Sequence, residues 1–122
     1  MSKRILVVED EEDNRRILCD LLTSAGYEII QAENGEAALA VAARVRPDLI
    51  LMDIQLPLLD GYEVTRRLKA DPELCAIPII AVTSYASGDE ATRAAGCDAY
   101  VAKPYSPRAL LAKIREYVPN TE

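Results

Sequence analysis

Residues 5–13 read ILVVEDEED, so four apolar residues run directly into five consecutive carboxylates. The apolar run Ile5–Val8 is typical of a buried strand. Glu9 and Asp10 stand where that strand should end, whereas residues 11–13 suit the first turn of a helix, because negative charge is favourable at a helix N-terminus. A buried strand that ends in crowded like charges implies a positive partner for them.

Five strand-and-helix units follow this pattern along the chain. Short apolar runs predict strands at Ile5–Val8, Tyr27–Ala32, Asp48–Asp53, Ile79–Thr83 and Asp98–Ala102. Helical periods with capping residues predict helices that begin near Asp13 or Asn14, Asn34, Asp60, Asp89 and Pro107. The fourth of these helices, Asp89–Ala95, carries only alanine on its apolar side.

Strands that are apolar on both faces and joined by helices are typical of an α/β fold with a parallel sheet covered on both sides. Right-handed crossovers leave few topologies and favour a five-stranded doubly wound sheet in the order 2-1-3-4-5, a flavodoxin-like arrangement. A length of 122 residues is that of one ordinary domain. We therefore expect a single domain over residues 1–122, without an effector domain.

The composition excludes several classes of function. The chain has 14 basic and 20 acidic residues, and this net charge of −6 argues against a nucleic-acid partner. No apolar run approaches membrane-spanning length and there is no signal-peptide core, so we expect a cytoplasmic protein with no membrane partner. The absence of histidine excludes Ser-His or Cys-His nucleophilic chemistry and a histidine-ligated metal. The three cysteines show no metal-ligand spacing and are expected to be reduced.

Polar groups collect at the edge where doubly wound sheets bind ligands, outside the carboxyl ends of the strands. Each residue type found there is ordinary when taken singly, but four of the five predicted strands end in a group that can bind a metal or a phosphate. These groups are Glu9 and Asp10 after the first strand, Asp53 in the third, Thr83 and Ser84 at the fourth, and Lys103 after the fifth. Their coincidence at one edge predicts a functional site.

A divalent cation is the predicted positive partner of the carboxylates. The first and third strands are neighbours in the expected order, so Asp10 and Asp53 should lie roughly 5 Å apart. Two charges at that distance repel by about 3 kcal/mol at an effective dielectric constant of about 20, enough to raise one pKa by about two units. Clustered carboxylates suit Mg²⁺, which would relieve this repulsion and then accept a phosphate oxygen.

Four segments of the chain resemble the receiver domain of two-component response regulators. They read VVEDEEDNR (7–15), DLILMDIQLPLLDGYEV (48–64), IIAVTSYA (79–86) and GCDAYVAKPYSPRAL (96–110), so the resemblance covers essentially the whole chain. It implies that Asp53 accepts a phosphoryl group from a histidine kinase or a phosphotransfer protein. The chain would then be no enzyme in the ordinary sense, because it would catalyse only its own phosphorylation and dephosphorylation.

The resemblance also implies the roles of the surrounding residues. Mg²⁺, with Mn²⁺ as an alternative, would be held by Glu9, Asp10, Asp53 and the backbone carbonyl of Gln55. Lys103 and Thr83 would contact phosphoryl oxygens, and Ser84 would leave room for the group. Thr83 and Tyr100 would report the phosphorylated state, and Gln55 and Tyr85 would tune dephosphorylation.

A downstream target protein would bind an output face formed by the fourth helix, fifth strand and fifth helix. The chain itself is expected to be a monomer or a weak dimer. Between Thr83 and Lys103 the chain is slightly shorter than the common family pattern, which affects the part of that face that belongs to the fourth helix. We also expect the Lys103–Pro104 peptide bond to be cis, since this geometry would aim Lys103 toward Asp53.

Three other functions stay open at this stage. A Mg²⁺-dependent phosphatase of the haloacid dehalogenase type also uses a strand-ending aspartate, but it needs a second aspartate two residues later, where this chain has Gln55. A nucleotide-binding module needs a glycine-rich loop after the first strand, where this chain is acidic. A degenerate receiver would bind partners without phosphorylation, and would not require Asp53, Thr83 and Lys103 together.

Overall fold

The computed structural model of the chain describes residues 3–83 and 88–119, and for residues 88, 89, 91 and 92 it describes the backbone alone. Strands and helices alternate along these residues. The strands are β1 (Arg4–Val8), β2 (Glu28–Ala32), β3 (Leu49–Asp53), β4 (Ile79–Thr83) and β5 (Ala99–Ala102). The helices are α1 (Glu12–Ser24), α2 (Gly35–Val45), α3 (Gly61–Ala70), α4 (Gly88–Ala95) and α5 (Pro107–Tyr117).

The strands form one sheet in the order β2-β1-β3-β4-β5, and every neighbouring pair is parallel. The α/β fold class and the doubly wound topology expected from the sequence are therefore confirmed. Val8 is opposite Met52, Asp53 is opposite Val82, and Thr83 is opposite Ala102. This register brings the carboxyl ends of the four strands β1, β3, β4 and β5 to one edge of the sheet.

The hydrophobic core lies in two halves, one on each side of the sheet. On one side, α2 and α3 pack against the strand residues Leu6, Val8, Ile50, Met52, Ile79 and Ala81. On the other side, α1 and α5 pack against Ile5, Val7, Leu49, Leu51, Ile80 and Val82. Alternate residues of each strand thus face opposite halves, as expected for a sheet buried on both faces. Helix α4 contacts α3 and β5.

Side-chain caps define three of the helix starts. Asp60 accepts a hydrogen bond from the Glu63 amide at 3.0 Å, so this predicted cap is confirmed. Asn34, predicted as the turn into the second helix, accepts one from the Ala37 amide at 2.8 Å. Ser106 does the same for α5 through the Ala109 amide at 3.0 Å. Each such cap contributes about 1 kcal/mol to stability.

The predicted cap of α1 is wrong. Its N-cap is Glu11, which makes no side-chain cap hydrogen bond, rather than Asp13 or Asn14. Glu12 and Asp13 lie within the first turn, where their negative charges are stabilised by the helix dipole, so an acidic sequence begins the helix without a cap.

Three strands begin one residue later than predicted, at Glu28, Leu49 and Ala99. Asp48 and Asp98 precede two of them, and each carboxylate accepts a hydrogen bond from a backbone amide of a neighbouring strand, that of Arg4 or of Ile79, at 2.8 Å. Among the described residues, no helix is long and apolar enough to cross a membrane.

Candidate functional site

Glu9, Asp10 and Asp53 come together at the carboxyl edge of the sheet, as predicted from the strand order. One carboxylate oxygen of each residue lies within 4.8 Å of the corresponding oxygens of the other two. Glu9 and Asp53 are buried, at 3% and 4% exposure, whereas Asp10 is exposed. The cluster is therefore closed by protein on the side of Glu9 and Asp53 and open to solvent on the side of Asp10.

Asp53 is held from two directions. Its Oδ1 accepts a hydrogen bond from the Gln55 amide at 3.0 Å and lies 3.3 Å from the Lys103 ammonium nitrogen. The Lys103 backbone amide donates to the Thr83 carbonyl at 2.7 Å, which fixes the start of the loop after β5. The Lys103–Pro104 peptide bond is cis, as predicted. A buried carboxylate thus faces one partly buried cation across the ends of β3 and β5.

The pKa of Glu9 is raised from 4.5 to about 7, chiefly because the carboxyl is buried. The negative charge of Asp53, and a hydrogen bond shared with it, raise the pKa further, while the Glu11 amide opposes this by donating to Oε2 at 3.1 Å. The sequence had suggested Asp10 and Asp53 as the pair whose repulsion shifts a pKa. The shifted group is Glu9, and burial outweighs repulsion as the cause.

The donor atoms of this cluster fit a hard divalent cation. All are carboxylate oxygens, which is the ligand type that Mg²⁺ prefers in proteins. The raised pKa of Glu9 also indicates that the single ammonium group of Lys103 does not fully offset the negative charge of the cluster. Asp10 is exposed, so the cluster is open to solvent on that side.

The loop after β3 fixes the backbone of Asp53. The Gly61 amide donates to the Ile54 carbonyl at 3.1 Å, so the start of α3 lies directly against the strand end. A Cβ atom on Gly61 would lie 2.6 Å from the Asp53 carbonyl oxygen and 2.7 Å from the Ile54 Cα. Only glycine fits this approach, a role that the sequence pattern Asp60-Gly61 did not reveal.

Thr83 and Tyr100 lie on the same face of the sheet. Thr83 is fully buried and is opposite Ala102, whereas Tyr100 is opposite Ala81 and is 39% exposed. The two side chains therefore lie on the side of β4 and β5 that faces α3 and α4. They are on adjacent strands, and Tyr100 is two residues before Ala102, the partner of Thr83. Ser84 and Tyr85, for which roles were predicted, lie outside the described residues.

Arg15 is a residue near the cluster that sequence reasoning missed. Its guanidinium donates to the backbone carbonyl of Glu9 at 3.0 Å and to the Gln31 side chain at 3.1 Å. The only signal in the sequence is an arginine one turn into the helix that follows the acidic pair.

Comparisons with known proteins agree with this geometry. The response regulator receiver domain family matches residues 5–115 of the chain. The chemotaxis protein CheY4 of Vibrio cholerae superposes with a TM-score of 0.90 at 28% identity, over 97% of this chain and all of that one. The receiver domain of a sensor histidine kinase from Pseudomonas aeruginosa PAO1 has a TM-score of 0.88 at 35% identity, over 96% of this chain and 98% of that one. In that structure a magnesium ion is coordinated in the active-site cleft.

The chain therefore belongs to the response regulator receiver domain family, a class of signalling proteins rather than of classical enzymes. Among curated proteins it is similar to the polar-differentiation response regulator DivK of Brucella anthropi. The two are 49% identical over 120 residues, which cover 97% of this chain and 98% of that protein. A DivK of Brucella melitensis is 48% identical over the same length.

Proposed function

We propose that this chain is a phosphoacceptor of a two-component or phosphorelay pathway, in which Asp53 takes a phosphoryl group from a histidine kinase or phosphotransfer protein. The observation that carries the proposal is the buried Asp53 carboxylate, with Lys103 at 3.3 Å and two further carboxylates within 4.8 Å. The family assignment favours this function over a haloacid dehalogenase type phosphatase.

The residues of the site suit phosphoryl transfer, which needs an aligned nucleophile and positive charge far more than covalent help from the protein. A carboxylate oxygen of Asp53 forms the new bond to phosphorus while the bond from phosphorus to the donor nitrogen breaks and its electron pair stays on that nitrogen. Lys103 neutralises charge on a phosphoryl oxygen, and the Thr83 hydroxyl donates a hydrogen bond to another.

Glu9, Asp10 and Asp53 would hold Mg²⁺ or Mn²⁺, together with the backbone carbonyl of Gln55. When bound, the ion would neutralise charge on the phosphoryl group. The oxygen-only donor set supports this assignment, as does the magnesium site of the related Pseudomonas aeruginosa receiver domain. Gln55 has an exposed side chain close to Asp53, in keeping with a role for it in tuning phosphoryl loss.

The signal would leave through the face formed by α4, β5 and α5, where a downstream target protein binds. Movement of the Thr83 hydroxyl toward a phosphoryl group vacates space on the side of the sheet that Tyr100 also occupies, so a charge change at Asp53 becomes a packing change at Tyr100. The shared face and the partial exposure of Tyr100 support this coupling.

Labelling with acetyl phosphate tests the acceptor assignment. Asp53→Asn should abolish Mg²⁺-dependent incorporation of phosphate, and removal of the metal with EDTA should abolish it in the unchanged protein. Asp20→Asn is the matched control, because Asp20 is an exposed carboxylate on α1 away from the cluster, and it should leave labelling unchanged. Full labelling of the Asp53→Asn protein would refute the proposal.

A further inference from the structure

Arg15 connects three elements at the edge that carries the acidic cluster. It lies one turn into α1, yet its guanidinium reaches back to the end of β1 and across to β2. Nη1 donates to the backbone carbonyl of Glu9 at 3.0 Å in a partly buried contact, and Nε donates to Oε1 of Gln31 at 3.1 Å. Both hydrogen bonds are charge-assisted and hence stronger than neutral ones.

The Arg15 contact is one of the hydrogen bonds that hold the backbone of Glu9. The ladders of β1 end at Val8, one residue before Glu9. The Glu9 amide still donates to the Ala32 carbonyl at 3.1 Å, and its carboxylate accepts from the Glu11 amide. The other two of these three hydrogen bonds are donated by backbone amides. The one from Arg15 is donated by a side chain, so a substitution at Arg15 removes it and leaves the backbone hydrogen bonds in place.

The carbonyl that Arg15 binds belongs to the peptide group between Glu9 and Asp10. Holding that peptide plane restricts the directions in which the Cα–Cβ bonds of both residues point, and of the two side chains Glu9 is buried and Asp10 is exposed. Gln31 in turn holds the guanidinium against β2. Two of the three carboxylates of the cluster therefore depend on one peptide group whose oxygen is anchored by α1.

We propose that Arg15 is a positioning residue for the metal-binding carboxylates: it anchors the Glu9–Asp10 peptide so that both carboxylates converge with Asp53. This inference rests on the proposed metal site and adds a determinant of its affinity. Residues that orient metal ligands without touching the metal typically change affinity about 10- to 100-fold when they are replaced. The same range is expected for loss of the Arg15 contact.

Arg16 provides a matched control. It is the next residue of α1, and its guanidinium makes a 3.8 Å ion pair with Glu12 in which the two side chains are 68% and 75% exposed. Arg15→Gln and Arg16→Gln each remove one positive charge from the same helix. Loss of a positive charge near the carboxylates would by itself strengthen cation binding, so weaker Mg²⁺ binding by Arg15→Gln than by Arg16→Gln reports the lost hydrogen bonds of Arg15.

The experiment is a Mg²⁺ titration followed by amide chemical shifts, together with urea unfolding of each variant. Arg15→Gln should raise the dissociation constant at least about tenfold, and Arg16→Gln should raise it less than about twofold. Arg15→Lys, which can reach only one of the two acceptors, should fall between them. In metal-free protein, the Glu11 amide should exchange its hydrogen faster in Arg15→Gln, because its acceptor on Glu9 is no longer held.

Equal Mg²⁺ affinities for Arg15→Gln and Arg16→Gln would overturn the proposal. A lower urea midpoint for Arg15→Gln with unchanged affinity and unchanged Glu11 exchange would also overturn it, since the contact would then be a structural link only. If Arg15→Gln does not fold, Arg15→Lys decides the matter by the same measurements. Failure of the unchanged protein to bind Mg²⁺, or equal binding by Asp10→Asn, would instead refute the metal site itself.

Discussion

Glu9 shows at the scale of a single residue how burial beside another carboxylate changes the ionisation of a carboxyl group. Its carboxyl is buried beside Asp53, and in the absence of a cation this burial and the nearby charge favour the protonated form, which raises the pKa. Position in the sequence alone gave no sign of this, because burial at a strand end depends on which helices cover that end. For the same reason the contact of Arg15 and the tight approach of Gly61 could not be foreseen.

The raised pKa of Glu9 predicts a distinctive pH dependence of stability. Between the ordinary pKa of 4.5 and the folded value of about 7, the folded protein binds more protons than the unfolded chain. This contribution is therefore fully present below pH 4.5 and is lost as the pH rises through 7, by at most roughly 3 kcal/mol. Urea unfolding of metal-free protein should show a smaller loss between pH 5 and 8 in Glu9→Gln than in the unchanged protein.

Saturating Mg²⁺ provides the control for this prediction. The ion competes with the proton on Glu9, so it should flatten the pH dependence of the unchanged protein and have less effect on Glu9→Gln. Parallel pH profiles for the two metal-free proteins would contradict the assignment of the raised pKa to Glu9.

At the scale of elements, the periodic signals were sufficient for the order and type of every strand and helix in the described residues. Runs such as Leu49–Met52 are apolar on both faces, which dictates a central strand whatever surrounds it. The ends were predicted less well, because they depend on contacts between distant segments. The carboxylates of Asp48 and Asp98, for example, accept hydrogen bonds from backbone amides of neighbouring strands just before β3 and β5 begin.

One such contact, at Lys69, should contribute strongly to stability. The ammonium group donates to the carbonyls of Cys75 and Ile77, at 3.1 and 3.0 Å, and to Asp98 at 2.9 Å. It thereby ties the end of α3 to the loop before β4 and to the start of β5. Lys69→Met keeps the aliphatic stem but removes all three of these hydrogen bonds, and should lower the free energy of unfolding in urea by about 1–3 kcal/mol.

Lys113→Met is the matched control for Lys69. Lys113 lies on α5, and its nitrogen is 3.5 Å from Glu116 in an exposed pair. Such pairs contribute little, so the variant should change stability by less than about 1 kcal/mol. Equal losses for the two methionine variants would show that the Lys69 network is no more than a surface ion pair.

At the scale of the whole molecule, the acidic cluster and the proposed output face lie on different parts of one sheet. Asp53 ends a central strand, whereas Tyr100 lies on β5, which is at the edge of the sheet. The strand β4 pairs with both of their strands and carries the buried Thr83, so it directly connects Asp53 with Tyr100. Helix α4 has only alanine among its apolar residues, so the free energy needed to rearrange it should be small.

This arrangement predicts that a phosphoryl mimic bound at Asp53 will change the conformation of α4, β5 and α5 as well as that of the site. Amide NMR spectra recorded with and without beryllofluoride should show shifts around Asp53 and also in residues 88–102 and 108–117. Asp53→Asn should abolish both sets, since it removes the carboxylate that binds the mimic. Thr83→Ala should keep the shifts around Asp53 but reduce those near Tyr100, because the hydroxyl is the group whose movement makes space on that side of the sheet. Shifts confined to the surroundings of Asp53 would mean that Tyr100 is a fixed, half-exposed strand residue and that the signal leaves by another face.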